Sequence, residues 1–350
     1  MAYVTTIGMD YANGKYIAYV QVLNFANIAK AESMDIGKSV PAWIGKGEGK
    51  TASEALTSIY PTSQLQLFWG HVKAIILSEN LLKQGISETF DALNRYREIR
   101  YNILLYGTRE PFTELLSQKS ILNFSPIDSL LTKPEKSYAQ KSLIPPQYSF
   151  KYKAHENEPG NSAMLPSLAL NRQAWKEDRE EKSEFQIDGA YFLNKGKYSH
   201  WLSDKDLLGA RWIHGKLVIS SINVPNDDHP VAVLKMKDPK LRIYPVIKGN
   251  GFHFDIQLKL KAEFAEVIEK LPEQEIQKAA EQAVQNEIRM TYQKGIESKC
   301  DVYQLSEALY RNHPKAWKQH FQDGDFQLRM DSLQEINVEV HIQHTGKYKK

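Results

Sequence analysis

"WIGKGEGKTASEAL", residues 43 to 56, ends its glycine-rich part in Gly49-Lys50-Thr51, the last three residues of a phosphate-binding loop. Such a loop would make the chain a nucleotide-binding α/β protein. It needs a glycine and four further residues before Gly-Lys-Ser/Thr, because successive backbone N–H groups must curl around the phosphates. That first glycine position is occupied by Ile44, and the feeding strand "SVPAWI" is interrupted by Pro41, which removes a ladder donor. The residues fit a helix start instead. The Thr51 hydroxyl can accept from the N–H of Glu54, while the Glu54 carboxylate reaches back to the N–H of Thr51, a capping box. Gly45, Gly47 and Gly49 then form a flexible turn that delivers the chain to a helix over residues 52 to 60.

The chain of 350 residues is long enough for two or three domains, each with its own core. With 42% apolar and 25% charged residues it has globular composition, so disorder is not the expectation. A net charge of +3 provides no global field for nucleic acid, and "KYKK" at 347 to 350 reads as a solvated tail. One cysteine, Cys300, excludes an intramolecular disulfide and any multi-cysteine metal site, and it reads as an inert, partly buried thiol. No run of 18 apolar residues is present to span a membrane as a helix.

Tyr3 to Met9 and Lys15 to Phe25 flank Asn13-Gly14, which predicts an opening hairpin. "HVKAIILS" (71 to 78) reads as a strand covered on both faces, Ser78 to Tyr96 as two helical pieces hinged near Gly85, "YNILLYG" (101 to 107) as a strand and Glu110 to Gln118 as a short helix. This alternation predicts an α/β domain with a mixed sheet over residues 1 to 115. Pro126, Pro134, Pro145, Pro146 and Pro159 predict a connecting segment over 116 to 186 that packs on neighbouring domains. Residues 187 to 215 predict a small middle domain: a strand, a turn at Asn194-Lys195-Gly196, a second strand, and a helix capped by Ser203 with Asp206 in its first turn and ended by Gly215.

Residues 216 to 350 predict a C-terminal domain in which an antiparallel sheet packs on a long helix, 272 to 299. Phe252, Phe254, Ile256, Leu258 and Leu260 alternate with polar residues, as do Ile336, Val338, Val340 and Ile342. Ile276, Ala280, Ala283, Val284, Ile288 and Tyr292 share one helix face, and Pro272 suits the helix start. The fold class expected is α/β (α+β), with three consecutive domains of mixed or antiparallel sheets flanked by helices.

No local signature of catalysis is present: no G-x-S-x-G elbow, no H-E-x-x-H, no calcium loop, no dinucleotide fingerprint. His71 before an apolar strand reads as a hydrogen-bonded or core histidine, and His253, His341 and His344 as solvated rather than metal-binding. "NDDH" (226 to 229) before Pro230 has a turn composition, and Asp206 reads as part of a helix start. Catalytic, cofactor and metal residues are therefore expected to be none.

The order of these motifs resembles the C-subunit lipoproteins of spore germinant receptors, the Ger(x)C family. The resemblance is carried by "TIGMDYANGKY", "GEGKTASEAL", "LFWGHVKAIILSENLLKQGI" with "REIRYNILL", "GAYFLNKGKYSHWLSDKDLLGARWIHGK", "HPKAWK" and the terminal "INVEVHIQHTG". It implies a non-enzymatic, palmitate-type lipid-anchored subunit on the outer face of the spore inner membrane. It also implies signalling through contacts with integral membrane A- and B-type subunits, with no cofactor and no nucleic acid. The family's anchoring cysteine is absent, so the lipidation site is unknown, and the chain is expected to begin just after the anchor with Met1 supplied for expression. The prolines of 126 to 159 and the helix Asp204 to Ile213 are the expected contact positions; Trp201 and Trp317 would be interface anchors if exposed, but tryptophans at such positions more often fill a core. The alternative is an extracytoplasmic protein that binds the germinant itself, with an enclosed pocket between domains. A hydrolase of cell-wall material would need an acidic pair facing a cleft, for which no motif exists.

Overall fold

The structure, a computed structural model, describes residues 2–23, 41–119, 121, 128–160, 162–194, 196–214, 217–226, 229–249, 251–321 and 328–343. Asn13 and Gly14 take φ values of 53° and 73°, the pair of left-handed conformations that a two-residue hairpin turn requires. They join β1 (Ala2–Ala12) to β2 (Lys15–Leu23). The glycine-rich stretch, expected as a flexible turn, is a strand: β3 (Trp43–Gly49) pairs antiparallel with β2 from Val22↔Trp43 to Tyr16↔Gly49. Its glycines answer a packing demand. A Cβ on Gly47 would lie 2.3 Å from the carbonyl oxygen of Ala55, and one on Gly49 would lie 2.5 Å from the Ala55 nitrogen. The following helix, α1 (Ala52–Thr57), thus lies directly on the strand's backbone.

The cap of α1 forms as read on one side, with the Glu54 N–H donating to Thr51 Oγ1 at 3.1 Å. Its return bond shifts by one residue, because the Glu54 carboxylate accepts from the N–H of Lys50 at 2.7 Å. The helix also stops short of residue 60. Pro61 cannot supply the next N–H, and the chain tightens into a 3₁₀ turn at Tyr60–Thr62.

β4 (Leu67–Phe68) and β5 (Ala74–Ser78) both run parallel to β1. α2 (Glu79–Gln84) and α3 (Ser87–Asn94) follow, separated at Gly85 as expected, and β6 (Leu104–Thr108) then pairs parallel with β5. Every residue of β5 and β6 is buried because both faces are covered. Ile75, Leu77 and Leu105 pack with Leu81, Leu82 and Phe90, whereas Ile76, Leu104 and Tyr106 pack with Phe112, Leu115 and Leu116 of α4 (Phe112–Ser117).

The segment 116 to 186 is more ordered than its prolines suggested. It holds α5 (Pro134–Gln140), α6 (Ser149–Asn157), the strand β7 (Ala163–Glu177) and half of β8 (Glu180–Asn194). Pro166, the residue that most disguises β7, lies inside it opposite Ala190. β6 meets β7 through Gly107↔Ser167, so few ladder bonds exist there for a missing N–H to break. Likewise the strands of 187 to 215 join the first sheet: β8 and β9 (Lys197–Ser203) complete the order β3-β2-β1-β5-β6-β7-β8-β9, with β4 beside β1. The Ser203–Asp206 box forms, with reciprocal bonds of 3.2 Å, but turns follow it and the helix is only α7 (Ala210–Ile213). Pro126, Lys195 and Gly215 lie outside the described residues.

The second sheet has the order β10-β11-β12-β13. β10 (Ser220–Asn226), β11 (His229–Lys248) and β12 (Gly251–Val267) are antiparallel, and Asn226↔His229 closes the first hairpin. The alternating residues point as read: Phe254, Ile256, Leu258 and Leu260 are buried, as are Ile336, Val338, Val340 and Ile342 of β13 (Leu333–Ile342). The expected antiparallel sheet is corrected at one pair, since β13 runs parallel to β12. The helix α8 (Glu273–Glu297) is the reason: it carries the chain back along the sheet, and α9 (Leu305–Asn312) and α10 (Pro314–Phe321) complete the crossover. Ile276, Ala280, Val284, Ile288 and Tyr292 are its buried face.

The chain clusters into two compact units. One comprises Met1–Glu135, Pro146–Glu156 and Ala163–Trp201, and the other Lys136–Pro145, Asn157–Ser162 and Leu202–Lys350. The expected boundaries near 115 and 215 therefore differ from the limits of these units.

Candidate functional site

In parallel sheets the strand C-termini, with the helices that follow them, are the usual place for a ligand. In the first unit, β1, β5 and β6 bring Asp10, Ser78 and Thr108 to that edge, around a concavity of about 410 Å³ that also exposes Glu79, Asn80 and Arg109. Ser78 caps α2, its hydroxyl accepting the N–H of Leu81 at 3.0 Å and donating to Asp10 Oδ1. Both bonds of this hydroxyl serve architecture, one capping α2 and the other tying β5 to β1. Thr108 donates to the carbonyl of Leu168 at 2.8 Å and accepts the N–H of Glu110 at 3.0 Å.

The charges at this edge neutralise one another. Glu79 accepts from Lys83 Nζ at 2.6 Å and from Arg109 Nε. The Arg109 guanidinium lies 4.1 Å from the centre of the Trp201 ring, a cation–π contact. Glu110 accepts from the Leu170 N–H at 3.1 Å and from Arg172 at 2.8 Å. Burial pushes the pKa of Glu79 up, but the Lys83 and Arg109 hydrogen bonds outweigh it and hold this carboxyl below its ordinary value. A depressed carboxyl stabilises the fold above its unfolded pKa and loses that contribution as pH falls through the folded one. Glu79→Gln is therefore expected to be less stable than the parent by about 1 kcal/mol at pH 7. The gap should close as pH falls below roughly 4.3; urea midpoints that keep a constant gap from pH 7 to pH 3 would contradict this.

The residues singled out in the sequence are not brought together. His71 meets the rings of Tyr3 (4.9 Å) and Phe68 (5.8 Å). His253 lies 3.8 Å from Asp255, and the register sets His341 opposite Lys261, eight positions along β12 and roughly 26 Å away at strand rise. His344, Asp227, Asp228 and the 347 to 350 tail lie outside the described residues. Among the described residues, no group of three or more His, Cys, Asp or Glu side chains is placed to hold a metal. Cys300 is buried, its thiol 3.3 Å from the Ser298 carbonyl. Residues 210 to 213, offered as part of a contact helix, are all buried, so α7 presents no free face. Pro134 is buried too. Trp201 and Trp317 are half-buried, the latter stacked on Phe321 with ring centres 6.0 Å apart.

Sequence reading missed the buried charge cluster of the second unit. Arg211, 5% exposed, donates from Nη2 to both oxygens of Glu287 at 2.6 and 2.7 Å, and from Nη1 to Ser220 Oγ at 2.9 Å. Trp212 Nε1 donates to the same carboxylate at 2.7 Å. Only the single charge inside the apolar run "ARWI" could have drawn attention to it; its partner is 76 positions away.

Two family models match the chain: the spore germination protein N-terminal domain over residues 1–170 and the spore germination B3/GerAC-like C-terminal domain over residues 187–346. The chain belongs to the GerAC family of spore germination proteins. Spore germination protein KC of Bacillus subtilis (strain 168) is 23% identical, over 99% of this chain and 90% of that protein. The crystal structure of the GerBC protein matches with a TM-score of 0.60 at 17% identity, covering 97% of both chains. That likeness bears on the fold, which is shared from end to end. The seam between the two GerAC family models, residues 170 to 187, falls in the β7–β8 hairpin, inside a single sheet. The family's two sequence domains thus do not end where the first unit ends. No helix among the described residues is long and apolar enough to cross a membrane.

Proposed function

We propose that this chain is a non-enzymatic C subunit of a spore germinant receptor, needed for the response to nutrients through contacts with integral membrane A- and B-type subunits. It would be held on the outer face of the spore inner membrane by an N-terminal lipid chain on the precursor. The observation that carries this reading is that germination-protein models for both an N-terminal and a C-terminal domain match, in order, along one chain. The mutual pairing of the polar groups at the strand C-termini supports a role in contact rather than turnover. One lipid chain anchors only marginally, so firm retention requires protein partners or a second membrane contact.

The test is co-purification from detergent-solubilised spore membranes with the full-length lipidated form as bait. Polytopic membrane proteins are expected in stoichiometric amount. Recovery of the bait alone from well-solubilised membranes would overturn the reading. The alternative is direct capture of a small germinant, for which the 410 Å³ concavity of the first unit is an open site rather than the enclosed pocket expected. That reading requires a concentration-dependent rise in melting temperature with the nutrient added to the isolated chain.

A further inference from the structure

The opposite edge of the same parallel strands has a different character. Lys73 immediately precedes β5, and residues 101 to 103 immediately precede β6, so the in-register strands set both at the N-terminal edge of the sheet. The link from α3 to β6, "NRYREIRY" (94 to 101), is on this edge and contains Arg95, Arg97 and Arg100, all exposed. Among the described residues, neither these arginines nor Lys73 forms an ion pair. The only carboxylate in the run, Glu98, is engaged by the backbone N–H of Trp69 at 2.9 Å. Two large rings are exposed beside the charges: Tyr101 at 74% and Phe150 at 48%, tied together by the Phe150 N–H donating to the Tyr101 carbonyl at 3.1 Å. Arg97 and Arg100 also flank a cavity of about 180 Å³ with Asn94 and Ser149 at its rim and apolar residues such as Phe90 and Ile103 in its lining.

We propose that this edge is a docking face for an anionic phospholipid surface. Unpaired guanidinium groups bind phosphate headgroups in bidentate fashion. Tyrosine and phenylalanine rings partition into the interfacial layer just below them. Two unconnected observations thus fit one partner: positive charge without an ion pair among the described residues, and aromatic surface exposed at the same place. An acidic protein would also match arginines beside aromatic rings, and vesicles, which contain no protein, separate the two. Topology adds a third point, because β1 enters the sheet at this edge beside β4, and any chain preceding it would emerge there. The proposal deepens the lipid-anchored reading above by naming the surface that would face the bilayer, and it supplies the second contact that a single acyl chain needs.

The experiment is co-sedimentation of the chain, without lipid modification, with vesicles of pure phosphatidylcholine or of phosphatidylcholine containing phosphatidylglycerol. Binding is expected only with phosphatidylglycerol, weakening as salt rises. Each arginine near such a surface contributes roughly fivefold, so the combined Arg95→Glu, Arg97→Glu and Arg100→Glu variant should lose at least about 100-fold. Tyr101→Ala should weaken partitioning without altering its salt dependence. A control with the same charge change on the β7–β8 hairpin, Lys176→Glu, Arg179→Glu and Lys182→Glu, should bind as the parent does. Melting temperatures confirm that each variant is folded. No binding to phosphatidylglycerol, or equal losses in the two triple variants, would overturn the proposal. Because no receptor partner is present, such a failure leaves the co-purification result independent.

Discussion

Replacing Glu287 by alanine should cost the second unit about 3 to 5 kcal/mol. The Arg211 guanidinium would stay buried with its carboxylate gone, and burying an unpaired charge is far more costly than exchanging a charge pair for apolar groups. Arg211 cannot swing into water, because it is 5% exposed and is also fixed by Ser220 Oγ and by packing over the Trp212 ring, 4.5 Å from its centre. Trp212 would lose its indole acceptor in the same change. Calorimetry is the measurement, since two compact units can melt in separate transitions. The transition belonging to Leu202–Lys350 should fall steeply or vanish, while the other stays in place. The double variant Arg211→Met with Glu287→Leu should recover most of the loss, as it removes both charges and keeps the volume. A single substitution that costs less than about 1 kcal/mol would mean that water reaches the guanidinium, against the burial described here.

Placing a side chain at Gly47 should strongly destabilise the first unit. A Cβ there would lie 2.3 Å from the Ala55 carbonyl oxygen and from Ser58 Oγ, and the first of these is helix backbone that cannot rotate away. Gly47→Val should therefore push α1 off β3 and cost about 3 kcal/mol, the upper range for overpacking. Gly14→Ala makes the useful comparison: Gly14 meets nothing within 4 Å and its penalty is conformational only, from a φ of 73°. If urea denaturation gave Gly47→Val the smaller loss of the two, close packing would not be what the glycine stretch is for. A nucleotide-binding loop would predict a different result altogether, in which glycine substitution abolishes phosphate binding and leaves stability nearly unchanged.

The glycine stretch shows how local legibility ends. The sequence identified the Thr51 cap and excluded a phosphate loop, because both are questions of spacing within a few residues. It gave no indication that Gly47 and Gly49 belong to a strand, since their spacing is dictated by a helix that folds back over them. The hairpin at Asn13-Gly14, the break at Gly85, the two alternating strands of the second sheet and the buried face of α8 were legible for the same local reason. β7 was not. Pro166 and the charged run after Asn171 hide it, and its partner strands lie elsewhere in the chain. The lack of a catalytic motif could be read as well, but the candidate sites could not: the crevice at Asp10, Ser78 and Thr108 draws on three strands separated by up to a hundred residues.

By itself, then, the sequence determined this protein's element types, its caps and turns, the class of its fold and its family, because these depend on periodicity, short-range hydrogen bonding and motif order. Only the tertiary structure decided that β13 lies parallel to β12, that β8 and β9 belong to the first sheet, that Arg211 is buried against Glu287, and that the arginines of 95 to 100 lie beside Tyr101 with no ion pair among the described residues. Each of those depends on which distant segment fills the neighbouring space, and burial and charge pairing are set by that neighbour rather than by adjacent residues in the chain.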